Sequence, residues 1–400
     1  MKKILLIITL FLVCLNTKVF ATTSSDYQNW KPCDTYEVSE ATSSGGLNEI
    51  GCYKDFESAK SAMIRSGNEN AVVVTIYKNK LKIVAANYAL VDMSYSSSQT
   101  ANVYEKSSLA GRKYTYVHTL DTCMGIDAAL SDTAQTSSTY SAKVTFAGMT
   151  GWMDINDVEI TPLIWTKAAS SYTVSSTDIR HNYVNRPAFE YSGTAGRTIG
   201  PKPEMLNPGK YYSYDGHYFY NSLKTMLNDY KNNNHNNAVN KDNPYYNYYM
   251  YLPNHTRTNY SSINIDEYVR NTLGYKMDAY GFSALQGTSR LYGSGTYFYN
   301  SQEVYGVNAL LTMSLSINET GYGRSSLAVT KNNGFGLNAV DSNPYEAANW
   351  YPTYAASILG FADGYITNFY SKATSSVYFG SQYGNKGIGM GVKYASDIYW

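Results

Sequence analysis

An apolar run that ends on a carboxylate and two glycines constrains this chain more than any other stretch of it. Val304, Val307, Ala309, Leu310, Leu311, Met313, Leu315 and Ile317 recur at the three-and-four spacing of a buried helical face, so the run predicts a single helix. Gly321 and Gly323 follow and stop it. Glu319 therefore falls in the last turn, beside the negative end of the helix macrodipole and above a low-dielectric core, both of which raise a carboxyl pKa. A Glu kept protonated near neutral pH is what a general acid requires, and glycoside hydrolysis depends on one. Taken alone, the residue also reads as an ordinary solvated helix-terminal Glu.

The residues after Glu319 extend the pattern. Glu319-Thr320-Gly321-Tyr322-Gly323-Arg324-Ser325-Ser326-Leu327-Ala328 leads into Lys331-Asn332-Asn333-Gly334-Phe335-Gly336-Leu337-Asn338-Ala339-Val340-Asp341. This Glu-Thr-Gly-x-Gly-x-Ser-x-x-Ala run, with Lys-Asn-Asn-x-Phe-Gly-x-x-Ala-x-Asp behind it, resembles the glucosaminidases of glycoside hydrolase family 73. Those are bacterial autolysins that cut the glycan strands of peptidoglycan. The resemblance continues through Ser342-Asn343-Pro344-Tyr345 to Lys393-Tyr394-Ala395-Ser396-Asp397, where the family carries Tyr-Ala-Thr/Ser-Asp-Pro and this chain has Ile398 in place of the proline. Upstream, Pro208 to Phe219 and Tyr245 to Tyr249 resemble the approach to the longer domains of the family, so the likeness covers roughly half the chain.

The resemblance implies a mainly α, lysozyme-like catalytic domain with a small β-lobe, and it implies roles. Glu319 is the acid that protonates the departing glycosidic oxygen. Gly321 and Gly323 let the chain leave the helix sharply and bring backbone close to the sugar. The segment Asn332 to Asn338 should begin the β-lobe, with Phe335 packed under it and with Asn333 and Asn338 either satisfying loop backbone or contacting an N-acetyl group. Tyr322 and Tyr345 join these as sugar contacts. Asp341 and Glu346 are the candidates for a second acid, although Asp341 before Ser-Asn-Pro is also a turn former, and assistance by the substrate's own acetamido group needs neither. Tyr394 should face the cleft near the acid. Relatives usually continue past the closing motif, so the sequence reads as a fragment. A muramidase or lytic transglycosylase of lysozyme-like fold is the rival enzyme, disfavoured by Asn-Asn-x-Phe-Gly, and a non-catalytic wall-binding protein is the alternative of another class.

Length and composition set the frame. Four hundred residues exceed one ordinary core and imply two or three domains. A net charge of +1 with 16% charged residues lacks the basic stripe of a nucleic-acid binder. Met1-Lys2-Lys3, the apolar run from Ile4 and the Val19-Phe20-Ala21 end predict a secretory signal peptide over 1–21, too short in its apolar part to span a bilayer; nothing later reads as a transmembrane helix. The expected location is thus outside the cell, at the wall, with peptidoglycan strands as partner. Cys33, Cys52 and Cys123 remain after cleavage; a Cys33–Cys52 disulfide and buried free thiols are both open. The scattered histidines form no metal pattern, and neither a metal nor a cofactor is expected. The 42 tyrosines, many of them between Tyr211 and Tyr299, suit a long cleft that stacks on pyranose rings, although most must serve packing.

Organisation follows from local pattern. Residues 22–165 read as a β-rich region with one helix from Asp55 to Gly67, a hairpin of Val72–Tyr77 with Leu81–Ala86, and short strands at 143–146, 148–153 and 158–160. Gly148-Met149-Thr150-Gly151-Trp152 resembles bacterial SH3-like wall-binding modules, with Trp152 read as a core residue before a ligand platform. Polar residues make 166–205 an expected linker, and 206–400 the catalytic domain, in which Thr353 to Tyr370 form a packing helix with Ala355, Ile358, Leu359, Ala362, Ile366 and Phe369 inward.

Overall fold

A computed structural model describes residues 30–93, 100–111, 113–118, 128–146, 149–184, 194–246, 254–280, 289–340, 342–372 and 374–375. The expected signal peptide, Cys14, Cys123, Asp341 and the closing motif with Tyr394 lie outside these residues. The chain divides into two compact units, Met1–Tyr245 and Tyr246–Ile398, so the boundary falls some forty residues beyond the expected one.

The first unit is mixed α and β. Strands β1 (Tyr36–Ala41), β2 (Leu47–Tyr53), β3 (Ala71–Tyr77) and β4 (Lys80–Ala86) form an antiparallel sheet in the order β2-β1-β3-β4. Lys78 and Asn79 both take left-handed backbone, the geometry of a two-residue hairpin turn, which is why β3 and β4 pair so tightly. Helix α1 (Phe56–Arg65) starts where Asp55 accepts the Ser58 N–H at 2.8 Å and buries Phe56, Ala59 and Met63. Cys33 and Cys52 are joined by a disulfide, which decides between the two thiol states left open above.

A seven-stranded antiparallel sheet follows, built from β5 (Ala89–Met93), β6 (Thr100–Tyr104), β7 (Lys113–His118), β8 (Ala128–Thr136), β9 (Thr139–Phe146), β10 (Met149–Asp154) and β11 (Val158–Pro162), in the order β11-β5-β8-β9-β10-β6-β7. Trp152 is half-buried on β10, opposite Tyr104. The segment expected to be a linker is folded. Strands β12 (Ser171–Val174), β13 (Asp178–Val184), β14 (Thr194–Pro201) and β15 (Gly209–Tyr211) make a third sheet, ordered β14-β13-β12-β15. Its polar residues are a hairpin turn: the Ser175 hydroxyl accepts the N–H groups of Thr177 and Asp178 at 3.1 and 2.9 Å. The strands on either side alternate Tyr172, Val174 and Ile179 into a core shared with Leu206, Tyr211 and Phe219. Helix α2 (Leu223–Lys231) packs beside β8 through Met226 and Leu227.

The second unit contains helices and no strand among its described residues. Its helices are α3 (Ser262–Tyr280), α4 (Gly295–Tyr305), α5 (Ala309–Thr320), α6 (Ser326–Lys331), α7 (Pro344–Ala347) and α8 (Tyr354–Gly360), the last continuing as a π-helical stretch, Phe361–Tyr370. Ile265, Leu273, Phe298, Met313, Phe361 and Ile366 lie in one core. The single helix expected from Val304 to Ile317 is two. Gly306 takes left-handed backbone (φ 70°) and closes α4, after which the Asn308 carboxamide accepts the N–H groups of Leu310 and Leu311 and opens α5. Buried Gln302 holds the break by accepting from Thr258 and Ala309, and Val304 is left 65% exposed. On the π-helical stretch Ala362 and Ile366 are buried as expected, Phe361 joins them, and Phe369 is 40% exposed, with its ring against Tyr365 and Tyr370. None of the described helices is long and apolar enough to cross a membrane.

Candidate active site

Glu319 is half-buried, one residue before the end of α5. The chain beyond it turns through three successive left-handed residues, Gly321 (φ 54°), Tyr322 (φ 65°) and Gly323 (φ 73°). Buried Thr320 ties this exit together. Its hydroxyl donates to the Ser316 carbonyl one turn back and accepts the Gly323 N–H at 2.7 Å, and its own carbonyl accepts the N–H groups of Arg324 and Ser325. A second segment clamps the turn from outside. The Ser289 hydroxyl donates to the Tyr322 carbonyl at 2.7 Å, and the Arg290 N–H donates to the Gly323 carbonyl at 2.9 Å. The Arg290 guanidinium also donates to the carbonyl of Val329 on α6 at 2.7 Å. The backbone approach at Gly323 is therefore to the protein itself: a Cβ there would lie 2.9 Å from the Leu291 nitrogen.

The 332–340 segment is a coil of turns rather than the beginning of a β-lobe. Asn332 (φ 53°), Gly336 (φ 62°) and Asn338 (φ 60°) take left-handed backbone, which an extended strand does not admit. Asn333 organises the coil from inside. It is fully buried; its Oδ1 accepts the N–H groups of Phe335 and Leu337, and its Nδ2 donates to the carbonyls of Leu337 and Asn349. Phe335, 3% exposed, stacks on Phe361 with ring centres 3.8 Å apart and planes at 6°. This seats Gly336 so that a Cβ on it would be 3.9 Å from Glu319 Oε2, and the carboxyl faces backbone there without an intervening side chain.

Two aromatic groups complete the surroundings of the acid. The Tyr354 hydroxyl shares a 2.7 Å hydrogen bond with Ser316, on the buried side of α5. Tyr370, at the end of the π-helical stretch, has its phenol pushed above the usual range, by burial first and then by the negative charges of Tyr365 and Glu319. A phenol raised in this way keeps its proton and remains a donor.

The expected site residues thus separate. Glu319 and the 333–338 coil come together, and Tyr322 is partly buried against the same core. Asn333 and Phe335 have their contacts inside the protein. Asn338 is exposed and donates to Asn349 Oδ1 at 2.8 Å. Tyr345 is 43% exposed, hydrogen-bonded to the Thr330 hydroxyl at 3.1 Å, with Lys331 Nζ 4.7 Å from its ring centre. Sequence reasoning overlooked Ser289, Arg290, Ser316, Tyr354 and Tyr370. Ser316 gave a signal, a polar residue at a buried position of an apolar helix; the others follow from tertiary contacts with no local pattern.

Residues 295–400 match the family model described as mannosyl-glycoprotein endo-beta-N-acetylglucosaminidase. Two curated relatives, both provisionally named endo-beta-N-acetylglucosaminidase and from two strains of Streptococcus pneumoniae, are 28% identical over 303 residues, 75% of this chain. The chain spans only 37% and 35% of their lengths. Among solved structures, S. aureus Autolysin E in complex with the muropeptide NAM-L-Ala-D-iGlu is 25% identical over 30% of this chain and 53% of its own, with a TM-score of 0.22. A major bifunctional autolysin is 27% identical over 30% of this chain and 48% of its own, with a TM-score of 0.23. At these TM-scores the superpositions place neither a ligand nor a residue on this chain.

Proposed function

Because residues 295–400 form a glucosaminidase-family segment, we propose that the chain is an exported peptidoglycan hydrolase that cleaves the β-1,4 bond between N-acetylglucosamine and N-acetylmuramic acid, with Glu319 as general acid. The observation that supports this most directly is the mounting of Glu319. The carboxyl sits at the C-terminal end of α5, on a turn fixed by Thr320, Ser289 and Arg290, with Gly336 backing one oxygen. A carboxylic acid held at this place can deliver a proton to the leaving glycosidic oxygen as the bond breaks.

In this reading Tyr370 donates toward the acid's surroundings and steadies its orientation, and Tyr394 contributes from the closing motif. The oxocarbenium-like transition state is met by Asp341, by Glu346 or by the substrate's acetamido oxygen. Tyr322, Asn338 and Tyr345 are the sugar contacts. Asn333 and Phe335 are assigned to holding the coil that backs Glu319, because their polar and aromatic contacts are made within the protein. The second unit is read as a lysozyme-like lobe and residues 22–165 as an SH3-like wall-binding region, with 1–21 removed on export.

Clearing of purified cell walls by wild type and by Glu319→Gln tests the assignment. The variant should lose at least about 100-fold in rate, the scale of an acid-catalytic contribution; equal clearing removes Glu319 from the role. Mass spectrometry of borohydride-reduced products tests the bond: reduced N-acetylglucosamine ends are expected, and reduced N-acetylmuramic acid or 1,6-anhydro ends refute the glucosaminidase reading.

A further inference from the structure

A recess opens in the helical unit beside the N-terminal half of α5. Its volume is about 1030 Å³, and it is walled by the loop Thr256–Tyr260, the first turns of α3 and the segment of α5 from Leu310 to Ser314. Leu310 and Ser314 precede Glu319 by nine and five residues. At about 100° per residue they lie about 180° and 140° round the helix from it. Leu311 lies about 80° round from it but about 12 Å back along the axis, and neither Glu319 nor the 333–338 coil lines the recess, which is a separate place on the surface.

Its lining has a defined chemistry. Asn264, Tyr268 and Asn271 recur at i, i+4 and i+7 on α3 and form one ridge along the wall. Tyr268 is 52% exposed, and Tyr260, on the adjoining loop, 59%. Leu311 supplies an apolar patch opposite, with the Ser314 hydroxyl beside it. Arg257, the cation at the rim, is paired with Glu303, and the Glu267 carboxylate also lines the recess, so an anionic ligand is disfavoured. Exposed tyrosine faces flanked by carboxamides and hydroxyls complement a pyranose, whose C–H face is apolar and whose edge carries hydroxyl and acetamido groups. The volume matches the upper end of ordinary ligand sites, room for more than one ring.

We propose that this recess is a non-catalytic saccharide site, which holds a neutral oligosaccharide segment against Tyr260 and Tyr268 independently of Glu319. It gives the helical unit a grip on glycan separate from the bond being cut, so that one glycan strand can be retained while another is processed. The inference concerns binding and stands apart from the hydrolytic assignment.

The test uses the full chain carrying Glu319→Gln, titrated calorimetrically with the tetramer of N-acetylglucosamine, alone and with Tyr268→Ala or the cavity-filling Ser314→Trp added. Two classes of site are expected, with each added change weakening one class at least about fivefold and sparing the other. Unaltered melting curves accompany that result, since both positions are at the surface. In the Glu319-intact protein, the same changes should leave cleavage of a short soluble substrate unchanged and slow the clearing of insoluble walls. A single class of site that neither change affects overturns the proposal, as does binding of a short neutral peptide at Tyr268 in preference to the tetramer. A protein with intact Glu319 that clears no walls would refute the hydrolase assignment and leave this binding result to be judged on its own.

Discussion

Alanine at Gly323 should cost the helical unit far more than alanine at Gly321, although both glycines sit in the same turn and both take left-handed backbone. The conformational penalty for a side chain in that region is about 1–2 kcal/mol and is common to the two. At Gly321 it is the whole effect, because nothing lies within 4 Å of the added carbon. At Gly323 the new Cβ meets the Leu291 nitrogen at 2.9 Å and both Leu291 Cγ and Ser289 Oγ at 3.0 Å. The first of these atoms is backbone and cannot swing aside, so the 289–291 segment must move away. That movement gives up the Arg290 N–H to Gly323 bond and the Ser289 to Tyr322 bond, each contributing about 1 kcal/mol net. The expected totals are about 1–2 kcal/mol for Gly321→Ala and about 3–4 kcal/mol for Gly323→Ala. Hydrogen exchange read by mass spectrometry on peptides covering 309–331 measures both in the full chain, since opening free energies are resolved segment by segment. Equal losses of protection in the two variants would refute the clamp. A further consequence is functional: the Gly323 variant moves the exit on which Glu319 is mounted, so its wall clearing should fall more steeply than its stability.

Asn333→Ala should lower the stability of the same peptides by about 3 kcal/mol, because two backbone N–H groups and the Asn349 carbonyl lose their partner inside the protein, while the Leu337 carbonyl keeps the Asn349 N–H; a loss below about 1 kcal/mol would mean that the coil is held by other contacts. In the first unit, burial lowers His181 from 6.5 to about 3. The folded value lies below the unfolded one, so the unfolded chain takes up the proton first. The stability present above about pH 6.5 is then lost as pH falls toward 3, at about 1.4 kcal/mol per unit from this group. His181→Phe, which keeps a ring against Tyr172, should flatten the urea-midpoint slope between pH 6 and 4; an unchanged slope would show that other groups carry the acid sensitivity.

Local patterns were legible where one element decides its own form. The Asp55 cap, the Lys78-Asn79 turn and the alternating strands at 143–160 formed as their residues dictate. Patterns failed where a residue type serves two purposes. Ser175, Thr177 and Asp178 look like linker, yet they are a hairpin turn whose flanking Tyr172, Val174 and Ile179 carried the strand signal. In the same way, apolar residues on both sides of Gly306 continue a helical period across a break that only the left-handed glycine and the Asn308 cap reveal. Hydrophobic period reports burial, and burial does not require that one helix supply it.

The candidate site shows the same division more sharply. Of the motif residues after Glu319, Gly323, Asn333 and Phe335 make close contacts to the chain itself, to Leu291, to the carbonyls of Leu337 and Asn349, and to Phe361. Their chemical types matter because of those contacts: a carboxamide alone presents two acceptor lone pairs and two donors at once, and glycine alone admits left-handed backbone against a neighbouring nitrogen. A motif of this kind therefore specifies where a carboxyl is held more than what it touches. The position of Glu319 was readable because the glycines and Thr320 that shape its turn lie in one run of sequence, whereas Ser289 and Arg290, which clamp that turn at Tyr322 and Gly323, and Tyr370, which feels the charge of Glu319, come from segments distant in the chain. Substitutions in the motif should accordingly separate into two groups, those at Gly323 and Asn333 that lower stability and activity together, and Glu319→Gln, which removes activity from a protein that melts as the wild type does.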